Sequence, residues 1–73
     1  MATFYIVNES SEDTLETTDD LQDAIQLATE AAKQAQVGEL VSILENGGKA
    51  VRQFMNMPNG MVSEQTITNQ SNI

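Results

Sequence analysis

The apolar positions change period twice along the chain. Residues 3–7, TFYIV, are β-branched or aromatic throughout, as strands are, and alternation puts Phe4 and Ile6 on one side and Tyr5 and Val7 on the other. Asn8 to Asp13 is short and polar, which suits a turn into a second strand at Thr14 to Thr18, where Leu15 and Thr17 alternate with Glu16 and Thr18. The period then lengthens. Leu21, Ala24, Ile25, Ala28, Ala31, Ala32 and Ala35 fall on one helical face and predict a helix over about 20–36. Asp19 is placed to cap its free N–H groups, with Gln22 three residues on to complete a capping box. Asp20 and Asp23 lie in the first turn, where the helix dipole favours negative charge, and Gly38 stands where a left-handed stop is needed. Alanine-rich stripes permit close approach, and the expected partner is a sheet.

Beyond Gly38 the short period returns. ELVSILE reads as a third strand and KAVRQFM as a fourth, joined through Asn46-Gly47-Gly48, whose residues tolerate the positive φ of a tight hairpin. A two-residue and a three-residue loop give different registers, and the sequence allows both. Past Met55 the pattern decays through Met57-Pro58-Asn59-Gly60 into MVSEQTITNQSNI. Residues 57–73 are therefore expected to be a disordered polar tail, a short fifth strand at Val62 to Thr68 being the less favoured reading. The expectation is an α+β protein: one domain over residues 1–56, with a small antiparallel sheet of about four strands, ββαββ, and one helix packed on one face.

One helix shields one face of a sheet, yet both faces here are apolar. Strand one offers Phe4 and Ile6 on one side but Tyr5 and Val7 on the other, and strand three offers Val41 and Ile43 against Leu40 and Leu44. An antiparallel sheet with a solvated face shows polar residues on it, so a second cover is implied. A second copy, a different protein, or the segment Met55 to Val62 folded back would each supply it.

Charge narrows the choice of partners. The formal net charge is −8 over 73 residues, and residues 1–32 hold eight acids and no base. Such a field repels nucleic acid and anionic membrane, so direct binding to either is not expected. There is no cysteine and no histidine, which sets aside disulfides, thiolate metal sites and the commonest transition-metal ligand. The N-terminal residues MATFYIVNE have no basic region or long apolar run, so neither a secretory signal nor a transmembrane span is expected, and the expected location is cytoplasmic.

Carboxylates are the only plentiful reactive groups. A hydrolytic pair needs two of them facing across a cleft with one buried, whereas these fall in a turn and at a helix start; no enzyme activity and no cofactor are expected. NESSEDTLETTDD offers oxygen ligands but has no glycine, unlike the EF-hand loop, and no metal site is expected. Phosphate-binding glycine loops are absent. Phe4, Tyr5 and Phe54 could form a stacking platform for bases, but core or interface packing is the better account given how few basic residues surround them. Arg52, the one base inside a predicted strand, is expected to pair with a carboxylate or to guard a sheet edge.

The helix run TTDDLQDAIQLATEAAKQ, preceded by a hairpin, resembles the small antitoxins of the HicB type over about thirty residues. The proline-containing strand expected before the helix in that family is missing. Two readings of function follow. The leading one is a small non-enzymatic interaction or regulatory module, a homodimer or a partner of another protein, that associates through Tyr5, Val7, Leu40 and Leu44. The alternative is an acidic inhibitor, a nucleic-acid mimic or antitoxin-like protein, that docks on a basic protein through Glu9, Glu12, Asp13, Glu16, Asp19, Asp20 and Asp23.

Overall fold

The computed structural model describes residues 2–65. Strands β1 (Phe4–Asn8) and β2 (Asp13–Thr18) precede helix α1 (Leu21–Gln34), and β3 (Leu40–Glu45), β4 (Ala50–Asn56) and β5 (Val62–Gln65) follow it. All five strands form one antiparallel sheet in the order β2-β1-β3-β4-β5. The α+β class and the single helix are as expected. Among the described residues the sheet has five strands rather than about four, however, and the element order is ββαβββ.

The extra strand comes from a turn over Met57 to Met61, within the segment expected to be disordered. Met57 N donates to Met61 O at 2.8 Å, Gly60 N to Met57 O at 3.0 Å, and Met61 N to Asn59 Oδ1 at 3.1 Å, while Gly60 takes φ 82°. Proline early in the turn and a positive-φ glycine at its end reverse the chain, so β5 returns along β4 with Ser63 opposite Met55. Residues 57–65 of the expected tail are this turn and strand. Residues 66–73, including the Thr66 to Thr68 end of the strand considered there, lie outside the described residues.

Three alanines decide how the helix sits. Ala24, Ala28 and Ala32, four residues apart and so on one stripe, are fully buried against a sheet surface of Phe4, Ile6, Val41, Ile43 and Phe54. The register puts these strand residues on one face, with Ile6 opposite Ile43 and Val41 opposite Phe54. Leu21, Ile25, Leu27 and Val51 pack around the edge of this core.

Both helix ends differ in detail from expectation. Asp20, not Asp19, is the N-cap, its carboxylate accepting from Gln22 N at 3.3 Å. Thr18 fixes that boundary, because its hydroxyl accepts from Asp20 N at 3.3 Å and donates to Asp23 Oδ2 at 3.0 Å. Gln22 therefore contributes its backbone N–H, and no capping box with Asp19 forms. At the other end the helix stops at Gln34, short of the expected 36, with Ala35 extended at φ −78°. Asn56 Nδ2 from β4 donates to Ala35 O at 2.6 Å and takes over a carbonyl left without an intrahelical partner. Gly38, at φ 90°, belongs instead to a turn closed by Glu39 N donating to Gln36 O at 3.0 Å.

The β3–β4 connection resolves the register left open in the sequence. Asn46 and Gly47 take φ 54° and 76°, Glu45 N donates to Lys49 O at 3.0 Å, and Leu44 faces Ala50. The loop thus has three residues, and Val51 is accommodated as a bulge. Asn46 also ties the turn to the start of β1, with Asn46 N donating to Thr3 O at 2.6 Å and Thr3 N to Asn46 Oδ1 at 3.0 Å. No helix among the described residues is long and apolar enough to cross a membrane.

Candidate interaction surfaces

Residues paired across strands share a face, so the register assigns each paired strand residue to the helix side or to the open side. On the open side Tyr5 faces Leu44 and Thr17, Val7 faces Ser42 and Thr14, Ser42 faces Gln53, Leu40 faces Met55, and Met55 and Gln53 face Ser63 and Gln65. Tyr5, Val7, Leu40 and Leu44, singled out in the sequence, therefore come together on one surface. Met55 joins them, which the sequence reading missed.

None of these open-side residues is charged. The charges borne by strands sit on the other side, where Asp13 is opposite Asn8, Glu16 opposite Ile6, Glu45 opposite Phe4, Arg52 opposite Ile43 and Glu64 opposite Phe54. Met55 to Val62, considered as a fold-back cover, runs instead into the β4–β5 turn at the sheet edge. The open face keeps an apolar middle of half-buried Tyr5, Val7, Leu40, Leu44 and Met55, with threonine, serine and glutamine around it. One polar pair interrupts that middle. Ser42 is fully buried, and Gln53 Nε2 donates to its Oγ at 3.0 Å.

The acids of the other reading are spread out. Glu9 and Glu12 belong to the β1–β2 connection, held by Asn8 Oδ1 accepting from Ser10 N at 2.8 Å and by Glu12 in a left-handed conformation at φ 61°, and Asp13 is the first residue of β2. Asp19, Asp20 and Asp23 cluster at the helix start, at the opposite end of β2, about 17 Å away for a strand of six residues. Glu16 lies between. Among the described residues no three acids come together to hold a metal ion.

A bulge in β2 gives Leu15 a different setting from the one alternation predicts. The register jumps so that Ile6 faces Glu16 but Val7 faces Thr14, leaving Leu15 unpaired. Leu15 and Glu16 consequently both line an open groove of about 370 Å3 between β2 and α1. Half-buried Leu27, Ala31 and Ala35 form its base, and exposed Glu16, Glu30 and Gln34 stand at its rim. Leu15 is 43% exposed there. Ala31 and Ala35, with small side chains, leave the space between the helix and β2 open. Leu27 was missed in the sequence because it falls outside the alanine stripe.

The remaining candidates have structural roles. Phe4 and Phe54 are in the core under the helix while Tyr5 is on the open face, so the three rings form no common platform. Arg52 pairs with Glu64 at 3.0 Å, both about two-fifths exposed; because β5 flanks β4, Arg52 is not on an edge strand. Comparison of the chain with protein families, with curated proteins and with solved structures returned no match.

Proposed function

We propose that this is a non-enzymatic interaction module that self-associates through the open sheet face. The observation that carries the reading is the absence of charge there. In a molecule of net charge −8, two copies repel wherever acids meet, and the face around Tyr5, Val7, Leu40, Leu44 and Met55 is a surface on which they can approach without that penalty. Its make-up, an apolar middle with tyrosine and methionine inside an uncharged polar margin, is that of an interface with charged residues depleted from its core. Five strands set about 4.8 Å apart and four to seven residues long present on the order of 400 Å2 in projection. That is a small interface, and the association is reversible and concentration-dependent.

An enzymatic reading has less support. Glu16 and Glu30 line one groove, but both are exposed, whereas proton transfer by a carboxyl pair needs one of them in a water-poor site.

Light scattering on the whole chain tests the proposal. The mass should rise from monomer toward dimer with concentration and persist at about 1 M salt, where hydrophobic burial is maintained. Val7→Glu should hold the mass at the monomer value while leaving the circular dichroism unchanged. A monomeric wild-type chain at all concentrations, or a Val7→Glu chain that still dimerises, would reject this face.

A further inference from the structure

We propose that the groove between β2 and α1 is a second, independent contact site that takes an apolar segment bearing arginine or lysine from a different protein. The β2 bulge is the first argument. An edge strand in regular alternation would turn Leu15 away from Glu16, yet the bulge brings both to the groove, and bulges re-aim side chains in this way beside binding sites. Leaving a leucine 43% exposed beside Leu27, Ala31 and Ala35 extends the apolar base of the groove toward solvent.

Charge selects the occupant. Exposed Glu16 and Glu30 stand beside an aliphatic base, and no lysine or arginine is among the groove's lining residues. An arginine or lysine side chain matches both features, laying its methylene stem on the apolar base and placing its cationic head against the carboxylates. At about 370 Å3 the groove is at the small end of ligand pockets and suits a few side chains. This chain is a poor source for them. It has three cations, of which Arg52 is already paired with Glu64, and its residues 66–73 have none. The partner is therefore a basic protein, and the contact leaves the open sheet face free.

Amide-resolved NMR titration of the full chain tests this, using a synthetic peptide of alternating leucine and arginine and a control in which serine replaces leucine. The leucine-arginine peptide should bind about tenfold more tightly than the control, with shifts concentrated at Leu15, Glu16, Leu27, Glu30 and Ala31. Glu16→Gln with Glu30→Gln should weaken it by about tenfold, whereas Glu9→Gln with Glu12→Gln, which removes the same charge from the loop, should change it less than about twofold. Leu15→Ser should also weaken it while retaining the folded spectrum. Equal binding of both peptides with shifts spread over all the acids, shifts centred on the Tyr5 and Leu44 face, or no binding would each overturn the site. Because dimer mass is read separately, failure here is distinguishable from failure of the self-association.

Discussion

Ser42 and Gln53 face each other across β3 and β4, joined by a 3.0 Å hydrogen bond in the middle of the face that α1 leaves open. Ser42 is fully buried, so its hydroxyl depends on that amide. Satisfying both groups with each other leaves a polar point inside an apolar surface, which limits how tightly a second copy adheres. Replacing both partners by apolar groups removes the polar point without orphaning either. Ser42→Val with Gln53→Leu should tighten self-association by about threefold to tenfold in sedimentation equilibrium. Weaker association in the double variant would place the pair outside the contact.

Asn56 binds the end of α1 to β4, and its removal should be felt in stability. Asn56→Ala leaves Ala35 O without its donor and should cost about 1–3 kcal/mol in urea unfolding. Asn56→Asp should cost more at neutral pH, since it sets a carboxylate against a carbonyl at the negative end of the helix dipole. Burial raises the pKa of that carboxyl in the folded state above its unfolded value, so the folded chain binds the extra proton more readily as pH falls. The deficit of Asn56→Asp relative to wild type should shrink between about pH 7 and pH 4.5, whereas that of Asn56→Ala should not.

Glu12 is a non-glycine residue at φ 61° in an exposed loop. Glu12→Gly removes the steric cost of that conformation, offset in part by the greater freedom of glycine in the unfolded chain, and should stabilise the protein by about 0.5 kcal/mol. For a chain of this size that corresponds to a rise of a few degrees in Tm, on the order of 2–4 °C, read by thermal circular dichroism.

Ala28 is the middle of the stripe on which the helix rests, and it is fully buried. Ala28→Leu would push α1 off Ile6 and Ile43 and should destabilise by about 1–3 kcal/mol. Ala31→Leu, in the half-buried base of the groove, should cost less than about 1 kcal/mol in the same urea assay, since it enlarges a side chain into open space.

Much of this architecture was legible. TFYIV, the alanine stripe and Asn46-Gly47 each point to one kind of local structure, and in each case tertiary packing agrees with local preference. What was lost were features that depend on distant partners. Asp19 and Asp20 are equivalent as caps by type, and Thr18 chooses between them through Asp23. Gly38 looks like a helix stop until Asn56, from another strand, is seen to hold the helix end. The described part of β5, VSEQ, has one apolar residue in four, so its own composition gives little strand signal. The open face was half legible: alternation named Tyr5, Val7, Leu40 and Leu44, but the segregation of charge to the helix side emerges only once the register pairs each strand residue with its neighbours.

The seam between β1 and β3 sets the smallest piece of this chain that can fold. Phe4 meets Glu45 and Asn8 meets Val41, so the middle of the sheet closes between segments from the two halves of the polypeptide. A fragment ending after α1 would hold a lone hairpin and a helix with half a floor, and two strands by themselves are marginal in water. Cutting the molecule between Gln34 and Leu40 should therefore yield no stable half, and on the ribosome its order must wait until β3 has emerged.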